Sequence, residues 1–280
     1  MNDDINTDKE RIAGLYNRVA LVYGAIGPAV FDHFGRRLVD VLAIPEGARV
    51  LDVGAGRGAN LFPAATNIGD TGYVTGIDIA EMMVQETNTD IQRRGLRNAE
   101  MCQMDAERLD FPDASFDYVL CSFAYFFFPD LPRALAEFYR VLRPHGKVAI
   151  NLLGGQEDEQ WRWYEQLLVE YHQRYHFPIS AGGGTGHWTP ENFAHLLAQV
   201  GFSDIQFVPE EPEFVYRDEQ EWWDSRWTHG SRYALEHMPP DILKQFQAEV
   251  FAWLPALKQP DGFHNHWRQI FTIGTKPAVT

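Results

Sequence analysis

The chain has 280 residues, of which 45% are hydrophobic and 38 aromatic (19 Phe, 11 Tyr and 8 Trp), enough to bury a full core and too apolar for a disordered segment. Its 24 Lys and Arg stand against 39 Asp and Glu. The resulting charge of −15 argues against a nucleic-acid partner, since phosphate binding needs a basic patch, and leaves a small neutral or cationic ligand open.

The hydrophobic period predicts alternating helices and strands. Lys9 to Val22 reads as a helix with Ile12, Leu15, Val19 and Val22 on one face, and Val30 to Leu42 as a second helix stopping near Pro45. Ala48 to Val53 is a buried strand ending in glycines, and a helix follows to about Asn67. Strand Tyr73 to Ile77, helix Glu81 to Arg93, and strands Ala99 to Gln103 and Phe116 to Cys121 come next. Helix Leu131 to Leu142 closes at the turn Arg143-Pro144-His145-Gly146, and Lys147 to Leu153 is a fifth strand. Five strands with helices between them predict a doubly wound parallel sheet.

Beyond Gly154 the alternation loosens. Glu157 to Tyr175 reads as a long aromatic helix, Ala181 to Gly186 as a glycine-rich loop, and Pro190 to Gln199 as a helix capped by Thr189 and ended by Gly201. Ile205 to Val208 reads as a strand, about Asp218 to Glu236 and Pro240 to Trp253 as helices, and His266 to Gly274 as a final strand. No internal repeat and no low-complexity tract is visible.

The first informative motif is Val50-Leu51-Asp52-Val53-Gly54-Ala55-Gly56-Arg57-Gly58. A glycine-rich turn from a first strand into a helix lets a ligand approach the backbone. Gly54-x-Gly56-x-x-Ala59, with Asp78 24 residues on, satisfies a relaxed dinucleotide fingerprint. Asp52, two residues before the first glycine, points elsewhere: a carboxylate repels a pyrophosphate but favours an ammonium group, directly or through water.

With those residues the sequence resembles the class I methyltransferases dependent on S-adenosyl-L-methionine (SAM), whose first strand ends in D-x-G-x-G-x-G, matched here by Asp52, Gly54, Gly56 and Gly58. Gly76-Ile77-Asp78-Ile79 resembles the family's second-strand acid that holds the ribose hydroxyls, with Ile79 beside the adenine. Met104-Asp105-Ala106, followed by Leu109 to Phe116, resembles the segment whose acid meets the adenine amino group. The fourth strand to Ser122 and the stretch Arg140 to Lys147 are also similar, with His145 as a solvent-facing turn residue where a second glycine is usual. The matches span about residues 10 to 208 and lie closest to the broad (type 11) branch of ubiquinone and menaquinone C-methyltransferases and many natural-product methyltransferases. Tyr16 to Tyr23 resembles that branch's tyrosine helix over the cofactor, with Asn17 where the branch often has Asp.

The resemblance implies a Rossmann-like seven-stranded sheet, five strands parallel plus an antiparallel edge pair formed by Ile205 to Val208 and His266 to Gly274. It implies SAM as cofactor, S-adenosyl-L-homocysteine as product, and cofactor contacts from Tyr16, Tyr23, Asp52, Gly54, Ala55, Gly56, Asp78, Ile79, Met82, Asp105, Ala106, Ser122 and Phe123. The expected organisation is an N-terminal helical cap over residues 1–45, a cofactor core over 46–154, substrate-side helices and a lid over 155–264 interleaved with the edge strand 204–208, and a last core strand over 265–280.

Methyl transfer from a sulfonium is an in-line displacement, for which alignment matters most and a general base is useful but not compulsory. Eight of the ten histidines follow residue 150. His187, in the loop Gly184-Thr185-Gly186-His187-Trp188, and His229, in Trp227-Thr228-His229-Gly230, are the catalytic candidates, each weighed against a structural role; His33 is a weaker one. His172 with His176, and His264 with His266, have metal-like spacing, yet neither pair has carboxylate or cysteine company at ligand spacing, and no metal is expected.

The region after residue 150 holds 22 of the 38 aromatics and all eight Trp. Phe127, Trp188, Trp223 and Trp227 are therefore candidate substrate contacts, while Trp222, Trp223 and Trp227 fit either ordinary helix packing or an aromatic lid. Phe126 and Phe128 fit either the core or a pocket wall.

The expected reaction is SAM-dependent methyl transfer to O, N or C of a small, aromatic or apolar molecule, without a nucleic-acid partner. A nicotinamide-dependent oxidoreductase on the same sheet, or a non-catalytic SAM-binding protein, are the alternatives. No apolar run approaches the roughly 18 residues of a membrane span. The acidic start MNDDINTDKE is unlike a signal peptide, and Cys102 and Cys121 lie in apolar runs as free thiols. A cytoplasmic enzyme is the expectation.

Overall fold

The computed structural model describes residues 2–153, 158–181 and 188–278. Two helices, α1 (Asn2–Val19) and α2 (Val30–Leu42), lead into β1 (Arg49–Val53), where Val50, Leu51, Asp52 and Val53 are all buried, as in a strand covered on both faces. The α1 helix ends earlier than its apolar pattern predicts. Ile12, Leu15 and Val19 are buried, but the chain turns after Val19 and leaves Val22 exposed.

There follow α3 (Leu61–Ile68), β2 (Tyr73–Asp78), α4 (Glu81–Arg93), β3 (Ala99–Gln103), β4 (Phe116–Ser122), α5 (Leu131–Val141) and β5 (Leu142–Leu153). Asp130 caps α5 by accepting the Arg133 N–H at 3.1 Å. His145 is exposed, with φ +66°, at the turn inside β5. After β5 come α6 (Arg162–Tyr175), α7 (Pro190–Val200) and β6 (Ser203–Glu210). Thr189 Oγ1 accepts the Asn192 N–H at 3.2 Å, and Gly201, at φ +114°, ends α7.

The remaining elements are β7 (Glu213–Tyr216), α8 (Glu219–Ser225), α9 (Arg232–His237), α10 (Pro240–Trp253), β8 (Phe263–His266) and β9 (Gln269–Thr275). The seven-stranded sheet runs β3-β2-β1-β4-β5-β9-β6, with β9 antiparallel to both neighbours and the first five strands parallel. That is the architecture expected, with two corrections near its end. The expected strand from His266 begins at Gln269 as β9, and His266 instead ends β8, which pairs with β7 in a separate ribbon. The expected helix from Asp218 to Glu236 is broken at Thr228-His229-Gly230, where His229 is extended.

Two apolar clusters cover the two sides of the sheet, one built with α5 and α7, the other with α2 and α3. A third core lies apart from the sheet and joins α6, α8, α9, α10 and β8. The tryptophan surplus is concentrated there. Trp222 is stacked between Trp161 (5.1 Å, 11°) and Trp163 (6.3 Å, 26°), and Trp163 stacks on Trp253 (5.7 Å, 15°). Among the described residues, no helix is long and apolar enough to cross a membrane.

Candidate active site

The carboxyl ends of β1, β2 and β4 open on one cleft, where ligands bind in open sheets of this kind. Gly54 and Gly56, at φ +64° and +51°, turn the chain out of β1 in a conformation that L side chains rarely adopt. A Cβ on Gly54 would collide with Ala124, whereas one on Gly56 would meet nothing within 4 Å, so the backbone there faces open space. Asp78 ends β2 with Oδ2 accepting the Gly56 N–H and Oδ1 the Ala80 N–H, both at 2.9 Å. Burial raises its pKa, and these backbone bonds oppose the rise.

The cleft has a volume of about 720 Å³, part of it open to solvent. Its walls include Ile12, Ile79, Met83, Met104 and Ala106, with Asp78, Asp105 and Glu107 as acids. A second cavity of about 570 Å³ adjoins it and adds Ala55, Phe31, Asp32, Arg57 and Asn60. Tyr23, Gly54, Gly56, Ser122 and Phe123 border both. Phe123 has φ +54°, a costly backbone state for an aromatic residue and of the kind that gathers at functional sites.

Asp52 does not reach either cavity. It is 0% exposed, with Oδ1 accepting from Asn60 Nδ2 at 2.8 Å and Oδ2 buried without a partner. Burial pushes its pKa up to about 7, against the hydrogen bond from Asn60. Ser122 Oγ donates to Asn60 Oδ1 at 3.0 Å, so a polar chain runs from the cavity wall through Asn60 to Asp52. Asn60 was not singled out by the sequence; an Asn eight residues after the motif acid, opening the next helix, is the signal that could have found it.

Helix α1 closes over the cleft through long-range polar contacts that the sequence alone did not reveal. Lys9 Nζ meets Asp105 Oδ2 at 2.8 Å and Glu107 Oε2 at 2.5 Å. Burial lowers the Lys9 pKa, but the hydrogen bonds it donates to both acids, with their charges, outweigh it, and the net shift is upward. Asn17 Oδ1 accepts the Met82 N–H at 2.9 Å, and Arg18 pairs with Glu236. Tyr16 and Tyr23, both expected at the cofactor, line the cleft with rings 6.1 Å apart. Tyr23 stacks on Phe31 at 4.9 Å.

Of the expected cofactor contacts, Tyr16, Tyr23, Gly54, Gly56, Asp78, Ile79, Asp105, Ala106, Ser122 and Phe123 line the cleft, and Ala55 lines the adjoining cavity. Met82 does not line either; its neighbour Met83 does, because α4 turns Met82 toward α1. Of the expected substrate contacts, Phe127 lines the cleft. Trp188 packs edge-on against Phe193 at 5.8 Å, while Trp223 and Trp227 belong to the separate aromatic core. The tryptophans of α8 are therefore helix packing, not cavity wall.

His187 lies outside the described residues. His229 lies one layer behind the cleft, 6.2 Å from Phe31, and its Nδ1 accepts the Ser231 N–H at 3.4 Å. Burial, aided by Arg226, lowers its pKa to about 3, so the ring is neutral near pH 7. His33 lies between Phe34 and Phe214, with Nε2 buried and unpartnered. His264 has acidic company on both ring nitrogens: Nδ1 is 2.8 Å from the distant Glu213 and Nε2 2.9 Å from the nearby Asp261. The pairing of β7 with β8 supplies Glu213, so this imidazole is a surface ion-pair centre. Among the described residues no group of three or more His, Cys, Asp or Glu side chains could hold a metal ion.

Residues 50–146 match the family described as methyltransferase domain. Nocamycin O-methyltransferase of Saccharothrix syringae is 33% identical over 254 residues, 86% of this chain and 90% of that protein. Aklanonic acid methyltransferase DauC of Streptomyces sp. strain C5 is 43% identical over 143 residues. That match takes in 51% of this chain and 65% of the relative, just under two thirds of its length. Among solved structures, the YcgJ protein of Bacillus subtilis has the same fold, with a TM-score of 0.62 at 20% identity over 88% of this chain and 100% of that one.

Proposed function

This chain belongs to the class I SAM-dependent methyltransferases, and on that footing we propose that it methylates an oxygen of a small, largely apolar acid. The observation that carries the reading is the match to nocamycin O-methyltransferase, which extends past the cofactor core into the C-terminal helices. The name of the second relative, aklanonic acid methyltransferase, supports an acidic acceptor.

The cleft fits the cofactor. Its lining is mostly apolar with a few convergent acids, the mix usual for a small-molecule site. The open face of Gly56 admits a ligand against the backbone, and Asn60, bonded both to Ser122 at the cavity wall and to the buried Asp52, would link Asp52 to a cationic amino acid end. In this reading Asp78 would hold the ribose hydroxyls. Ile79, Met83, Met104 and Ala106 would flank the base, and Asp105 would face its amino group. Both Asp105 oxygens already accept hydrogen bonds, from Lys9 and from the Glu107 N–H, and each keeps a lone pair.

When bound, SAM supplies a methyl group on a positively charged sulfur. The chain's own residues align and shield. Tyr16 and Tyr23, pinned by the α1 contacts, keep water from the transfer end, and Ser122 and Phe123 fix its floor. Well-oriented reactants gain roughly 7–11 kcal/mol from proximity. Among the described residues no histidine lines either cavity, and His229 is a weak base. An acceptor that arrives ionised needs no proton removed, and a carboxylate is ionised near neutral pH. The −15 charge and the two free cysteines are compatible with a cytoplasmic enzyme.

The test is a labelled-methyl screen of the purified chain against carboxylic acids, phenols and amines of matched apolar bodies. Label in base-labile esters is expected. Label found only on amines or carbon would overturn the oxygen assignment.

A further inference from the structure

We propose that Tyr16, Tyr23, Phe123 and Phe127 form an aromatic cage that holds the sulfonium of SAM in preference to the neutral thioether of S-adenosylhomocysteine. The inference rests on the reading of the cleft as the SAM site.

All four rings line the cleft. Tyr16 makes steep angles with both of its neighbours, 61° to Tyr23 and 77° to Phe127, at centroid distances of 6.1 and 5.4 Å. These are edge-to-face packing contacts, so the rings hold one another in place, and their common position on the cleft wall is what presents them to a ligand. Tyr23 is backed on one face by Phe31 (4.9 Å, 21°), which fixes its orientation at the cleft wall. Phe123 meets the same Phe31 edge-on at 5.2 Å and is held there at φ +54°.

The phenols stay protonated. Burial pushes the pKa of both up, and the nearby Asp78 carboxylate adds to the effect. A neutral aromatic face attracts a cation through its quadrupole and offers no anionic oxygen for the methyl group to be lost to. On transfer the C–S bond breaks, its electron pair stays on sulfur, and the new bond forms to the acceptor oxygen. The positive charge that the rings attract is then gone, so the same cage that retains the substrate releases the product.

The experiment is calorimetric titration of the full chain with SAM and with S-adenosylhomocysteine, for Tyr23→Leu, Tyr23→Phe and Phe127→Leu, with circular dichroism to establish folding. Tyr23→Leu and Phe127→Leu should each lower the SAM affinity by roughly three- to ten-fold more than the S-adenosylhomocysteine affinity, the size of one cation–π contact, while Tyr23→Phe keeps the parent ratio. Equal losses for both ligands in whichever Leu variant folds would overturn the cage and leave the rings as packing. Failure of the parent chain to bind either ligand would instead overturn the reading of the cleft.

Discussion

Asn17 Oδ1 accepts the backbone N–H of Met82 at 2.9 Å, and so fastens α1, the helix over the cleft, to the first turn of α4. The bond satisfies one of the four N–H groups that a helix start leaves free. Only the side-chain oxygen is used, so an Asp at this position could make the same bond. Replacing Asn17 by Leu should release α1 and weaken SAM binding by roughly three- to ten-fold, the worth of one hydrogen bond. Asn17→Asp should keep the parent affinity, because a negative charge is favoured at a helix N-terminus. Equal losses in the two variants, measured by calorimetry, would show that the oxygen is not what matters.

The buried Asp52 makes stability depend on pH. Its carboxyl has an ordinary pKa of 3.8 and a folded value of about 7, so the folded state holds the proton over that interval. Stability from this group is fully present below about pH 4 and is lost as pH rises through 7. Asp52→Asn removes the charge while keeping an acceptor for Asn60. The stability of the variant relative to the parent should therefore improve by roughly 3 kcal/mol between pH 5 and pH 8, about 5–10 °C in melting temperature. Thermal melts without ligand check this, and a gap that does not change with pH contradicts it.

Trp222 is 1% exposed at the centre of the tryptophan stack, and that core is separate from the clusters lining the cleft. Trp222→Ala should cost about 3–5 kcal/mol of stability, seen as a lower denaturant midpoint, with SAM affinity within about two-fold of the parent at low temperature. A loss of affinity beyond about ten-fold in a chain with native circular dichroism would place the stack at the cofactor.

What the sequence revealed and what it concealed divide along contact range. The run Val50 to Val53, the two glycines after it and Asp78 ending β2 are local patterns, and each is found where the pattern implies. The edge of the sheet was legible too, because β9 carries an apolar run of its own. Lys9 with Asp105 and Glu107 was not, since those partners are 96 and 98 residues apart and a lysine in a polar helix has no local mark. The β7–β8 ribbon was hidden for the same reason: Glu213 pairs with His266 across a stretch of helices, and His264 reads as solvated until Glu213 is beside it. The aromatic surplus was located correctly after residue 150, but its composition could not distinguish a wall around a ligand from a core packed on itself.

Asp78 joins the glycine loop to the cavity through its bond to the Gly56 N–H, and the account depends on that carboxylate more than on any other group. Calorimetric titration of Asp78→Ala with SAM tests it directly. Loss of two charge-assisted hydrogen bonds to the ribose should weaken binding by about ten-fold or more, with an unaltered circular dichroism spectrum. An affinity equal to that of the parent would contradict the assignment of this cleft to SAM.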